Sequence, residues 1–248
     1  MNPLDATRPA LREATRTDPC VNCGSRLTGL CQPLDAAALD DISADSERFA
    51  QPARSVLFRE GDQASRAFSI SSGVVKLSRL LADGKQQVVG FRFPGDIVGY
   101  GAAATYPYDA ELLTSGAFCK IERRRLDTLL RRYPVMERRL LDMCLAELAA
   151  TQEHLVTVGR RSAEARVASF LLGLEEAWRR RGALPDPLPM PMTRSDIGDF
   201  LGLTLETVSR TFTAFKKAKW VEEPAHQKLR IRDRQTLADL AEGVVQEF

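Results

Sequence analysis

Near Glu122 the hydrophobic repeat of this chain changes, and that change commits it to two joined architectures. Upstream, over residues 49–121, short apolar runs are separated by turn signals at Gly61-Asp62, Ser72-Gly73, Asp83-Gly84 and Pro94-Gly95-Asp96. The runs at 67–70, 74–80 and 87–93 are rich in branched and aromatic residues, the spacing of an antiparallel β-sandwich or roll. A helical lead-in over 35–45 precedes them. Downstream, Leu141, Cys144, Leu148, Thr151, Leu155 and Val158 fall at steps of three and four, which lays one apolar stripe along a long helix. Such a stripe wants a partner, and a parallel pairing with a second copy is expected. Cys144 on that seam reads as a small hydrophobe. Thr151 weakens the seam, so the dimer is expected to be marginal and open to regulation.

A second helix is expected over 163–181, ending in Arg179, Arg180 and Arg181. Prolines at 185, 187, 189 and 191 then stiffen a connector and preclude regular helix. From Thr193 the text reads TRSDIGDFLGLTLETVSRTFTAFKKAKW. Thr193 with Asp196 resembles a capping box, Ile197, Phe200 and Leu201 form an apolar face, and Gly202 stands where a short helix must stop. Thr204 caps the next helix, whose Leu205, Val208 and Phe212 are expected to face inward. Glu206, Ser209, Arg210 and Thr213 then lie along the opposite side, the layout of a helix-turn-helix recognition helix.

The chemistry of that face matches base edges in a DNA major groove. Arg210 offers two donors to guanine, Glu206 accepts from cytosine N4, and Ser209 reaches a thymine. Lys216 and Lys217, with Lys219, extend positive charge toward phosphates, and Lys228, Arg230 and Arg232 decorate an alternating run that reads as a hairpin wing. From Arg194 to Arg234 there are nine Lys/Arg against six Asp/Glu, a local excess larger than the +2 of the whole chain. Double-stranded DNA is therefore the expected partner.

Four of the five cysteines split three and one. Cys20, Cys23 and Cys31 follow the spacing C-x2-C-x7-C, and Cys119 arrives far downstream. Thiolates select zinc, copper(I) or iron–sulfur centres. Structural zinc sites draw on two short pairs, so a three-plus-one split points toward a cluster.

Composition narrows the remaining classes. With 44% hydrophobic residues over 248 positions the chain can bury proper cores. No apolar run reaches eighteen residues, and the first nineteen lack an apolar core, so neither a membrane span nor an export signal is expected and a cytoplasmic protein is. The only histidines, His154 and His226, form no catalytic constellation, and no enzyme is expected.

The order of β-roll, long helix and C-terminal helix-turn-helix resembles the cAMP receptor protein and FNR superfamily of bacterial transcription regulators. The stretch MTRSDIGDFLGLTLETVSR is very similar to the FNR recognition segment, and Glu206, Ser209 and Arg210 match its E-x-x-S-R form. The resemblance implies an α+β fold: a tail and cysteine loop (1–33), a β-roll sensory domain (34–130), a dimerisation helix (131–160) and a winged helix-turn-helix (161–248). It implies an oxygen-labile [4Fe-4S] cluster on Cys20, Cys23, Cys31 and Cys119, although the best-known members space the second and third cysteines more closely. It further implies a homodimer on an inverted repeat like TTGAT-N4-ATCAA, contact with RNA polymerase, and control of low-oxygen metabolism. Residues 95–119 contain no Lys or Arg to meet a buried phosphate, so a cyclic nucleotide is not the expected effector. Two other readings stay open: a regulator of this fold with zinc or no metal and a different input, and a small iron–sulfur electron-transfer protein, which would have no need for Glu206, Ser209 and Arg210.

Overall fold

The computed structural model describes Cys20 and residues 23–182 and 184–243; the tail expected over 1–19 lies outside them. The chain opens with α1 (Gly24–Thr28) and α2 (Ala36–Asp45), followed by strands β1 (Ser46–Gln51), β2 (Val56–Phe58), β3 (Arg66–Ser72), β4 (Val75–Leu80), β5 (Gln86–Arg92), β6 (Ile97–Val98), β7 (Asp109–Leu112) and β8 (Gly116–Glu122). These strands form two four-stranded antiparallel sheets, ordered β1-β8-β3-β6 and β2-β7-β4-β5. Between them lies a core of Phe58, Phe68, Ile70, Val75, Leu77, Leu112 and Phe118. The turn at Gly95 (φ 98°) is closely covered by the cysteine loop: a Cβ there would stand 2.3 Å from Thr28 Oγ1, so only glycine fits.

Helices follow: α3 (Arg123–Arg132), α4 (Pro134–Arg160) and α5 (Ala163–Arg179). The long helix expected from 131 starts at Pro134, whose missing N–H suits a first helical position. Arg131 and Arg132 belong to α3. Met136 and Leu140 of α4 bury against Leu30, Leu34 and Leu39 in a second core that holds the N-terminal segment to the roll.

The C-terminal part consists of β9 (Leu188–Pro189), α6 (Arg194–Leu201), α7 (Leu205–Lys217), β10 (Val221–Ala225), β11 (Lys228–Ile231) and α8 (Arg234–Glu242). The wing is a three-stranded sheet ordered β10-β11-β9. Its edge strand comes from the proline-rich connector, which is therefore more than a spacer; prolines are tolerated on edges because no ladder donor is lost there. The capping box at Thr193 and Asp196 is complete, and Gly202 ends α6 in the left-handed region at φ 65°.

The helix-turn-helix does not hang free of the roll. Val74 and Phe93 of the roll share one continuous core with Leu171, Met190, Ile197, Leu201, Val208, Phe212 and Phe215. Beside it, the buried Lys76 donates to Asp196 at 2.9 Å and pairs with Glu111 at 3.2 Å. Arg181 turns back from the end of α5 to donate to the carbonyl of Pro94 and to Asp96, each at 2.7 Å.

Candidate cysteine centre and nucleic-acid interface

Cys20, Cys23, Cys31 and Cys119 all line one pocket, although 88 residues separate Cys119 from Cys31. Strand register delivers Cys119: it sits on β8 between Arg48 of β1 and Ser69 of β3. The loop that carries the other three is held from several sides. Its sequence, expected to lack regular structure, forms the single turn α1, capped at its carboxyl end by Gly29. Arg26 Nη1 donates to the carbonyls of Cys31, Gln32 and Leu34 at 3.1, 2.9 and 2.8 Å. Arg139 of α4 donates to the carbonyls of Thr28 and Gly29. A Cβ on Gly24 would lie 2.7 Å from Pro94 Cβ and one on Gly29 2.2 Å from the Gly95 carbonyl, so loop and roll meet backbone to backbone.

The apolar part of the pocket wall is Leu30, Ile42, Ile97, Ile121, Leu126 and Met136. Burial pushes the Cys31 thiol up to about 12; the Ser25 hydroxyl opposes that rise, and Cys119, Cys23 and Cys20 add to it. Burial also raises Cys119, against the influence of Ser46 and Arg48. Arg48 Nη2 donates to Cys20 Sγ at 2.9 Å, and Cys23 Sγ lies 3.2 Å from Ser71 Oγ. Among the described residues, the buried side-chain oxygens and nitrogens left without a hydrogen bond are three serine hydroxyls, Ser25, Ser46 and Ser69, and all three line this pocket. Ser25 and Ser46 stand beside the Cys31 and Cys119 thiols on which they act, so the hydroxyls cluster with the cysteines. Among the described residues no three Cys, His, Asp or Glu side chains close on a point fit for a single metal ion.

The second site is the exposed face of α7. Thr204 accepts from Thr207 N at 3.2 Å and so serves as the helix cap. Glu206, Arg210, Thr213 and Lys217 are exposed and Ser209 is half-buried. The Glu206 carboxyl is held below its usual range by its own backbone N–H and by Thr204, which keeps it an ionised acceptor. Thr213 Oγ1 donates to the Ser209 carbonyl, and Lys216 is paired with Glu223 of the wing at 2.8 Å. Arg210 and Lys217 have no ion-pair partner among the described residues and remain available to a ligand.

The comparisons bear on both sites. Residues 165–240 match the Crp-like helix-turn-helix domain and residues 50–133 the cyclic nucleotide-binding domain. The chain is 35% identical over 198 residues to the nitrogen fixation regulation protein FixK of Bradyrhizobium diazoefficiens, covering 80% of this chain and 84% of that one. It is 34% identical over 239 residues to the transcriptional activator protein FnrA of Stutzerimonas stutzeri, covering 94% and 96%. It belongs to the CRP/FNR superfamily of transcription regulators. The structure of FixK2 from Bradyrhizobium japonicum superposes with a TM-score of 0.72 at 30% identity, over 79% of this chain and 96% of that one. The α+β architecture expected from sequence is thus the fold of this CRP/FNR regulator. Among the described residues no helix is long and apolar enough to cross a membrane.

Two expectations about this CRP/FNR regulator need correcting. Leu205 does not face inward but is 48% exposed at the start of α7, while Phe215 and Thr211 fill the inner face with Val208 and Phe212. Along α4, Leu141, Leu148 and Leu155 are 49%, 54% and 68% exposed. Cys144 and Thr151 are exposed beside them, so the stripe is uncovered within one chain. Val158, however, is half-buried, its Cγ1 3.5 Å from where a Gly202 Cβ would stand. The uncovered stripe therefore ends near Leu155 within one chain, and the last turn of α4 packs toward the DNA-binding domain. Arg48, Arg139, Lys76 and the three serines carried no local sequence signal.

Proposed function

We propose that this regulator responds to oxygen through a [4Fe-4S] cluster held by Cys20, Cys23, Cys31 and Cys119, and that loading it favours a DNA-binding homodimer. The observation that carries the reading is the shared pocket: four thiols and three serine hydroxyls converge there from opposite ends of the domain. The donor set fits the group. A single zinc ion needs all its ligands about 2.3 Å from one point. A cluster instead takes its four cysteines around the rim of a larger core, which suits thiols that ring a pocket. Oxygen lability is the chemistry the cluster supplies when bound.

The protein's own residues supply the coupling. Ligation of Cys20, Cys23 and Cys31 together with Cys119 pins the loop to the roll. The pinned loop presents the Thr28 and Gly29 carbonyls to Arg139 and packs Leu30 and Leu34 against Met136 and Leu140. That contact seats the first turns of α4, and the seam begins two residues beyond Arg139, at Leu141. A second copy covers Leu141, Leu148 and Leu155, and the paired subunits set two recognition helices about one DNA turn apart, over an inverted repeat like TTGAT-N4-ATCAA. Arg210, Glu206 and Ser209 read bases, and Lys217 meets phosphate. Loss of ligation frees the loop, and the subunits separate toward salt-dependent, nonspecific binding. In the cytoplasm the bound dimer would contact RNA polymerase and activate genes of low-oxygen metabolism.

A cyclic nucleotide plays no part in this reading. The interior of the roll is filled by aromatic rings, with Phe58 stacked on Tyr106 at 3.9 Å and Phe68 and Phe118 close by. The test is anaerobic purification with iron and sulfide determination and visible absorbance, then gel shift on the inverted repeat before and after air. Iron- and sulfide-containing protein that loses colour and DNA affinity together in air supports the proposal. Colourless, iron-free anaerobic protein that binds the repeat as tightly as air-exposed protein refutes it.

A further inference from the structure

We propose that Arg48 belongs to the cysteine centre as its charge-balancing residue and sets how readily the loaded centre is oxidised. The proposal rests on the cluster reading above and names a group that no cysteine pattern points to. Four thiolates outweigh the positive charge of a four-iron core, so the loaded pocket carries net negative charge. Its walls are mainly aliphatic, and an enclosed charge is costly unless it is paired. Two cations line the pocket, Arg26 and Arg48. Arg26 is committed to the loop, its Nη1 shared among three backbone carbonyls. Arg48 donates through Nη2 to Cys20 Sγ at 2.9 Å and to Ser43 Oγ at 3.3 Å.

Strand register places Arg48 directly opposite Cys119. A single guanidinium thereby stands beside ligands drawn from both stretches of chain, on the solvent side of the pocket, where its own side chain is exposed. Hydrogen bonds to ligand sulfur favour the more electron-rich state and raise a centre's potential. Removing this one makes the loaded centre easier to oxidise and loosens Cys20, the ligand nearest the chain start.

The experiment compares wild type, Arg48→Met and Arg48→Lys after anaerobic reconstitution. Iron and sulfide per chain, the midpoint from redox titration, and the rate of absorbance loss in air are measured on each. The expected result is a full cluster in all three, a lower midpoint and several-fold faster air decay in Arg48→Met, and partial recovery in Arg48→Lys. Arg48→Met that retains its circular dichroism but fails to hold iron, while Arg48→Lys holds it, also supports the assignment. A fully loaded Arg48→Met with wild-type midpoint and decay rate overturns it. If wild type itself takes up no iron and sulfide, the cluster reading fails instead, and the two failures are told apart by the wild-type sample.

Discussion

Replacing Lys76 with methionine removes the cation from the ion pair that joins the roll to the DNA-binding domain. Both charged ends are nearly enclosed, with 8% and 9% of the Lys76 and Asp196 side chains exposed. Breaking a buried pair by deleting one partner costs about 3–5 kcal/mol, because the remaining charge is left uncompensated. Asp196 keeps the Thr193 N–H at 2.9 Å and the Thr193 hydroxyl at 2.6 Å on Oδ2, so only Oδ1 is orphaned, and Glu111 is 31% exposed and can be hydrated. Methionine also fills most of the lysine's volume. The expected loss therefore falls at or just below the bottom of that range, roughly 2–3 kcal/mol.

Urea unfolding near pH 7 followed by tryptophan fluorescence measures it, since Trp178 lies edge-on to Phe93 of the roll at 5.4 Å and reports docking as well as folding. The pH dependence is a second check. Burial pushes Asp196 up, but hydrogen bonds from Thr193 and Lys76 outweigh it and hold the carboxyl below its usual range. Burial likewise opposes the charge on Lys76, and Asp196 and Glu111 outweigh it in the other direction. The depressed Asp196 contributes stability above the ordinary carboxylate range and loses it as pH falls through its folded value; the raised Lys76 loses its contribution only on the alkaline side. The gap between wild type and Lys76→Met should thus be full near neutrality and narrow on acidification. A variant within about 0.5 kcal/mol of wild type, the usual span for a surface substitution, or a gap that does not change in acid, would refute the reasoning.

Arg139→Met should weaken self-association of cluster-loaded protein by roughly 1.5–3 kcal/mol, the worth of a hydrogen bond to a charged group, with iron content unchanged; sedimentation equilibrium checks it. Arg210→Ala should cost about 1–3 kcal/mol at one base pair of the half-site and leave other positions alone, as read by competition gel shifts with single-base variants. Thr151→Leu should strengthen the dimer and reduce the loss of DNA affinity in air, because its hydroxyl is spent on the Glu147 carbonyl of its own helix and contributes nothing across the seam; an unchanged dimer constant would argue against the seam.

What the sequence disclosed was local. Thr193, Asp196, Gly202 and Thr204 carry capping and turn chemistry within a dozen residues, and each performs as read. Strand runs bounded by glycine turns were legible for the same reason. The short α1 was not, because a single turn has no stability of its own and exists through Arg26, Arg139 and the glycine contacts with Gly95. Leu205 continues the inward spacing into the first helical turn, yet it is exposed there. Val158 continued the stripe in sequence, yet docking of the DNA-binding domain claims that turn. The cysteine set could be grouped from its unusual spacing, whereas Arg48 and Lys76 act across 28 and 120 residues, separations at which no pattern reaches.

The core shared by Val74 and Phe93 with the recognition helices bears on engineering regulators of this kind. Grafting residues 165–240 onto another roll would leave Phe170, Trp178 and Phe200 facing a foreign wall, and would strand Asp196 without its lysine. Chimaeras that retain Lys76, Val74 and Phe93 on the recipient roll should express as ordered proteins, while those that swap at the helix boundary alone should aggregate.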